Sequence, residues 1–272
     1  MKAALEHKLE SLLANLNAHE HVAVAFSGGV DSSFLLFVAS KLARCEAVAL
    51  TCAVAQVPKR ALDEAAAFCT ENGIEHVLVD LEDAQPQQLE RNPLDRCYIC
   101  KKSILGHLAS AAREHGCTVL VEGSNLDDAT RFRPGHRAVE ECGVKSPLMD
   151  AKLTKDDIRK LSKAMGLSTW NKQSESCLYT RFEYDTPVKA EDLRRVEAAE
   201  AHLRELGFTC VRVRVHGPIA RIEVGEGETE RLVEEPVRRS VVDRIRKLGF
   251  AYATVDLEGF RSGSMDAERG VS

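Results

Sequence analysis

The sequence has no apolar run of membrane-spanning length, and its first residues lack the apolar core of a secretory leader, so neither a membrane nor an exported protein is expected and the cytoplasm is the expected location. It has no surplus of basic charge. Its 37 Lys and Arg stand against 42 Asp and Glu, a formal net charge of −5. That balance excludes a nonspecific nucleic-acid binder, whose affinity rests on Lys and Arg against phosphates. There is no internal repeat and no low-complexity tract, which leaves an ordinary globular chain. The nine cysteines are an odd number in a chain without an export signal, which argues against a disulfide scaffold. Cys45, Cys52, Cys69, Cys117, Cys142 and Cys210 lie in or beside apolar patterns and read as buried small hydrophobes, whereas Cys97, Cys100 and Cys177 have different surroundings. What is present is an ordinary soluble balance of 44% hydrophobic and 29% charged residues in 272, enough for one large domain or two modest ones.

Met1 to Ala18 reads as an amphipathic helix with Leu5, Leu9, Leu12, Leu13 and Leu16 on one face. Short β-rich runs then alternate with helical patterns: strands at His21 to Phe26, Glu46 to Ala53, Glu75 to Asp80 and Thr118 to Glu122, and helices at Asp31 to Ala43, Pro58 to Asn72, Tyr98 to His115 and Thr154 to Met165. This alternation predicts an α/β domain over residues 1–170, with a mostly parallel, doubly wound sheet and helices on both faces. Thr169 to Pro187 is polar and irregular, so 171–187 reads as a linker carrying Cys177. Residues 188–272 read as a smaller α+β domain: a helix at Lys189 to Leu206, strands at Phe208 to Val215 and Ile219 to Val224, a helix at Glu228 to Leu248 and a strand at Ala251 to Leu257.

The strongest local signal is Ser27-Gly28-Gly29-Val30-Asp31-Ser32-Ser33, which follows an apolar strand and opens a helix. Glycines let the backbone bend and approach phosphate oxygens, and a helix start aims N–H groups and partial positive charge at the same place. The hydroxyls of Ser27, Ser32 and Ser33 add donors, and Asp31 is suited to hold Mg²⁺ against phosphates. The bland alternative is a Gly-Gly turn with Ser and Asp as helix caps. No Gly-Lys-Ser/Thr follows, so the loop is not a Walker A loop, and Gly225-Glu226-Gly227 reads as a plain turn.

This string resembles the PP-loop ATP pyrophosphatase superfamily, which implies cleavage of ATP between its α- and β-phosphates. Further strings narrow the resemblance: Arg96-Cys97-Tyr98-Ile99-Cys100-Lys101, Glu122-Gly123-Ser124-Asn125-Leu126-Asp127-Asp128, Arg133-Pro134-Gly135, Ser146-Pro147-Leu148 with Lys155 and Arg159, Trp170-Asn171-Lys172 with Cys177-Leu178, Arg212-Val213-Arg214, and Arg261-Ser262-Gly263-Ser264-Met265. From near His21 to Met265 the chain is similar to the LarE family, the pyridinium-3,5-bisthiocarboxylic acid mononucleotide synthases. The resemblance implies adenylation of carboxylates on a pyridinium mononucleotide, replacement of oxygen by sulfur, a sulfide donor, and symmetric homo-oligomers. It makes Cys177 the sulfur centre, and it makes Cys97, Cys100 and Cys177 the three ligands of a [4Fe–4S] cluster. The Cys-x-x-Cys pair by itself also suits zinc, redox chemistry or no metal. Family members continue from the sulfur cysteine as Cys-Leu-Ala-Ser-Arg, whereas this chain reads Cys177-Leu178-Tyr179-Thr180-Arg181 and then Phe182-Glu183-Tyr184-Asp185, which bears on the substrate.

Arg212 and Arg214 alternate on one strand and so leave one face of the sheet. Their pattern suits a phosphate clamp completed by Arg181, or else a charged face with partners such as Glu200 or Glu223. Competing functions are an amidating or tRNA-thiolating PP-loop enzyme, a sulfurtransferase for another substrate, and a nucleotide-binding module without catalysis. The net charge and the lack of a zinc-ribbon domain speak against RNA as substrate.

Overall fold

In the segment His21–Ala25 (β1), Val22 and Val24 belong to one buried apolar cluster and Ala23 to another. A strand buried on both faces is the mark of a central strand in a parallel sheet. A computed structural model of the chain shows how its neighbours cover it, describing residues 2–81, 84–129, 134–173, 175–261 and 263–265. Arg133 and Ser262 lie outside the described residues.

The chain divides into two compact units, residues 1–87 with 95–175, and residues 88–94 with 176–272. In the first, α1 (Lys2–Leu16), β1, α2 (Val30–Lys41), β2 (Glu46–Ala53), α3 (Lys59–Glu71), β3 (Glu75–Asp80), α4 (Arg96–Glu114) and β4 (Val119–Val121) follow in turn. After them come α5 (Leu126–Ala129), α6 (Pro134–Glu141), α7 (Pro147–Asp150) and α8 (Lys155–Ala164). The four strands pair in parallel in the order β3-β2-β1-β4. On one face Ala49 of β2 joins Phe34 and Leu35 of α2, Phe68 of α3 and Ile158 of α8. On the other, Val48, Leu50 and Cys52 join Leu105 and Leu108 of α4 and Val139 of α6. The period of two along β2 therefore sorts its side chains into two helix layers, the doubly wound arrangement the alternation predicts. Leu12 and Leu16 of α1 are buried, with Leu5, Leu9 and Leu13 packed partly against the same core.

In the second unit, α9 (Ala190–Glu205), β5 (Arg212–His216), β6 (Ile219–Glu223), α10 (Thr229–Val233), α11 (Val237–Lys247) and β7 (Tyr252–Val255) form a three-stranded sheet with helices. The order is β5-β6-β7, with the first pair antiparallel and the second parallel. Val213, Ala220 and Ile222 from the sheet are buried, as are Leu193, Val196, Val241 and Ile245 from the helices.

Several expectations are corrected. Glu228 to Leu248 is two helices, because Pro236 has no N–H to give and disfavours helical backbone in the residue before it; Glu234 is already extended at ψ 147°. The strand expected from Phe208 starts at Arg212, since the Thr209 N–H is taken by the Glu228 carboxylate at 3.1 Å. The short helices α5, α6 and α7 were not expected. Cys45, Cys52 and Cys69 are buried, but Cys117, Cys142 and Cys210 are only half-buried. Residues 171–175 group with the first unit and 176–187 with the second, together with 88–94. Asn92 ties that last stretch down by donating to the carbonyls of Tyr179, Phe182 and Glu183 at 3.3, 3.2 and 2.9 Å. Among the described residues no helix is long and apolar enough to cross a membrane.

Candidate active site

The turn between β1 and α2 stands at the carboxyl ends of the strands, where open parallel sheets bind ligands. Gly28 takes the left-handed backbone at φ +68°, and a Cβ there would sit 3.2 Å from the Cβ of Ala65 on α3. Gly123, just beyond β4, approaches the loop so closely that a Cβ would lie 3.0 Å from the Ser32 nitrogen. Two glycines on different elements thus fix where the start of α2 lies. The Ser32 hydroxyl is 3.1 Å from that of Ser27, and it donates to the Gly29 carbonyl at 3.3 Å.

This turn forms one wall of a cavity of about 370 Å³, which Ser27, Gly29, Asp31 and Ser32 line together with Lys101, Glu122 and Asp128. The volume lies in the range of small-molecule sites. Apolar walls come from Leu50, Cys52, Ile104 and Leu105. Ser33 stands apart from the other loop hydroxyls, for it is fully buried and does not line the cavity.

Asp31 is ion-paired with Lys155, the first residue of α8, through Oδ2. Its Oδ1 is buried and has no hydrogen-bond partner among the described residues. Burial pushes the Asp31 carboxyl up, Lys155 opposes the shift, and the negative charge of Asp128 adds to it. A carboxylate with one oxygen spare, on a cavity wall beside a helix start, has the donor chemistry for Mg²⁺. Glu122 accepts from Lys101 Nζ at 3.1 Å, from the Ser124 hydroxyl at 2.8 Å and from the Ser146 hydroxyl at 2.6 Å. Burial works to raise its carboxyl, but Lys101 and these hydroxyls outweigh burial and hold it below the usual range. Lys101, Glu122, Ser146 and Lys155 all occur in the strings that carry the resemblance. Nothing in their spacing says that Lys155 meets Asp31, 124 residues away.

Cys97 and Cys100 sit near the start of α4, three residues apart and so on neighbouring positions of one face. Cys97 is exposed and Cys100 half-buried, and Gln56 Nε2 lies 3.2 Å from the Cys100 sulfur. Burial pushes the Cys100 thiol up, and Gln56 opposes that. Cys177, in the second unit, is half-buried and precedes the 3₁₀ turn Leu178–Arg181. Its carbonyl accepts from the Thr180 hydroxyl at 2.7 Å and from Arg181 at 3.1 Å. Among the described residues, no three of His, Cys, Asp and Glu gather into a group that could hold a metal ion.

Arg181, Arg212 and Arg214, in the second unit, are buried rather than solvated. Arg181 gives Nε and one terminal nitrogen to Glu200 at 2.8 and 3.1 Å, and its other terminal nitrogen to the Ser176 and Cys177 carbonyls. Arg214 is held by Glu223 at 2.9 and 3.1 Å and donates to the Thr180 carbonyl at 2.8 Å. Glu200 and Glu223 are thus the partners the sequence suggested for a charged face, though the face is buried. Arg212 is less completely matched: it donates to the Val211 carbonyl at 2.7 Å, and its buried Nε has no partner among the described residues. Burial, with Arg181 nearby, pulls the Arg212 guanidinium down to about 10. Beside Cys177, Tyr179 is buried, and Glu183 pairs with His216 at 2.7 Å.

The asparagine synthase family model matches residues 4–198. The pyridinium-3,5-bisthiocarboxylic acid mononucleotide synthase of Lactiplantibacillus plantarum is 35% identical over 266 residues, covering 97% of this chain and 95% of that protein. An uncharacterized protein of Synechocystis sp. is also 35% identical, over 96% of this chain and 98% of its own length. A tRNA-5-methyluridine(54) 2-sulfurtransferase of Thermus thermophilus is 33% identical over 40% of this chain and 36% of that protein. A parallel sheet ending in a Ser-Gly-Gly-x-Asp-Ser turn, with similarity along nearly the whole length, places the chain in the PP-loop family that the asparagine synthase model describes, and within it in the LarE family.

Proposed function

We propose that this protein is an ATP-dependent sulfurtransferase that adenylates a carboxylate of a pyridinium biscarboxylic acid mononucleotide, releases pyrophosphate and replaces a carboxylate oxygen by sulfur, in the making of a nickel-pincer cofactor. The observation that carries the reading is the cavity at the β1–α2 turn, where a helix start, a glycine-bent loop and the spare oxygen of Asp31 face one space of nucleotide size.

In the first step a substrate carboxylate oxygen attacks the α-phosphorus of ATP. The bond to the β-phosphate breaks, and pyrophosphate leaves with the electron pair. The loop N–H groups and the Ser27 and Ser32 hydroxyls hold the phosphates, Asp31 holds Mg²⁺ against them, and Lys101 adds positive charge to the wall. In the second step a sulfur nucleophile adds to the acyl adenylate, and AMP departs to leave a thiocarboxylate. Cys177 is the proposed sulfur centre. Cys97 and Cys100 suit two positions in the ligand set of a [4Fe–4S] cluster, with Cys177 as the third, while zinc or no metal is the alternative. When bound, such a cluster supplies an iron without a protein ligand, where hydrosulfide from a donor can be held. In the second unit, Arg212 is the group best suited to take the substrate phosphate, because its guanidinium is the least matched of the three, and Arg181 and Arg214 support it. A cytoplasmic homo-oligomer completes the proposal.

The test is product analysis with the pyridinium substrate, on protein purified without oxygen and assayed for iron, sulfide and zinc. AMP and pyrophosphate are expected, and ADP with phosphate would overturn the reading. Asp31→Asn should lower pyrophosphate release about 100-fold or more while leaving the urea midpoint of the apo protein no lower, since the buried Asp31 charge is a cost to folding. Repeated turnover with added sulfide supports the cluster. A single turnover that leaves dehydroalanine at position 177 supports sacrifice of the Cys177 sulfur.

A further inference from the structure

Lys172 has no part in the reaction as described, yet it is tied to the phosphate loop. Its Nζ donates to the Gly28 carbonyl at 2.9 Å and pairs with Glu64 of α3 at 2.6 Å, and its side chain is only 20% exposed. The same Glu64 accepts from Arg60 at 2.5 Å, and Arg60 also pairs with Glu175. A chain of alternating charge, Lys172–Glu64–Arg60–Glu175, therefore fastens both ends of 172–175 to one face of α3. All of these residues belong to the first unit. Helix α3 also carries Ala65, the residue in closest approach to Gly28. One helix thus backs both the phosphate loop and the stretch of chain that ends two residues before Cys177.

Covering an ammonium this far costs solvation, which must be offset by fixed partners. An ammonium has three donors, and the Gly28 carbonyl and Glu64 engage two of them. Phosphates held at Gly28 to Ser32 would place several negative charges close to Lys172, drawing the ammonium more firmly toward the loop. We propose that Lys172 is a positioning residue: it is clasped to the phosphate loop, as Glu175 is to α3 through Arg60 and Glu64, so that nucleotide in the loop tightens these contacts ahead of Cys177. The inference rests on the loop being a nucleotide site. It adds a means by which nucleotide binding firms contacts, already formed without nucleotide, at Lys172 and Glu175.

Hydrogen exchange read by mass spectrometry, on the full protein with and without a non-hydrolysable ATP analogue and Mg²⁺, tests this. In the native protein the analogue should slow exchange of the amides in 171–175 about fivefold or more. Lys172→Met should abolish that slowing and, by the same coupling, weaken calorimetric affinity for the analogue by a similar factor, about fivefold, without abolishing binding. Lys172→Arg, which can still donate to the Gly28 carbonyl, should keep most of it. Arg60→Met, at a more exposed position, should reduce the slowing at Glu175 in particular. Equal slowing in Lys172→Met and native protein overturns the clasp. So does an analogue that binds native protein and leaves 171–175 unchanged. An analogue that does not bind native protein overturns the nucleotide reading itself, and the clasp with it.

Discussion

Glu200 shows how much one buried carboxylate carries in the second unit. It is 1% exposed and accepts from Arg181, Arg204 and the Val213 N–H. Burial works to raise its carboxyl, but Arg181 foremost, with Arg204 and Arg212, holds it below the usual value of 4.5. A group with a depressed folded pKa gives stability that is present above its unfolded pKa and lost as pH falls through the folded one. Glu200→Gln removes a charge and leaves Arg181 buried against a neutral amide, so it should cost about 3–5 kcal/mol at neutral pH. The gap between native protein and Glu200→Gln should narrow as pH falls below about 4.5. Urea titrations at several pH values check both. A gap that stays constant into acid would show that the pair contributes through shape and not charge.

Among the elements, α8 has a start that local chemistry sets. Thr154 caps it by accepting from the Asp157 N–H, while Asp157 accepts from the Thr154 N–H, a closed capping box. Asp157 also pairs with Lys8 of α1 at 2.6 Å, so the cap joins two helices. The same helix start delivers Lys155 to Asp31. Thr154→Ala should therefore cost about 1 kcal/mol in urea unfolding, and it should also raise the KM for ATP by loosening Lys155. A loss of stability with unchanged KM would separate the cap from the site. The long helix expected at Glu228 to Leu248 went the other way: its apolar periodicity continues through Pro236, whose missing N–H ends the ladder.

At the scale of the molecule, each unit has its own buried core, and the proposed chemistry is divided between them. Nucleotide binding is assigned to the first and the substrate phosphate to the second. Arg212→Ala should then weaken binding of a mononucleotide substrate about tenfold or more, with ATP affinity unchanged within error. Arg212→Lys should recover only part, because an ammonium keeps the charge and loses the planar fork. Calorimetry with each ligand separately decides the matter, and equal substrate affinity in Arg212→Ala would remove this arginine from the site.

The sequence by itself determined the parts that depend on near neighbours. The unbroken apolar run Val22 to Ala25 set a strand, glycines 28 and 29 with the following helix pattern set a turn that opens a helix, and Thr154 set a helix start. These are decided by backbone sterics, side-chain period and local hydrogen bonds, all short in range. Tertiary structure decided what depends on packing across long stretches of chain. It brought Lys155 to Asp31, Lys101 to Glu122 and Lys172 to Gly28, buried Ser33 away from the cavity, and committed Arg181 and Arg214 to carboxylates while leaving Arg212 incompletely matched. Charge partners are chosen where desolvation is least costly in the finished fold, and spacing along the chain carries no record of that choice.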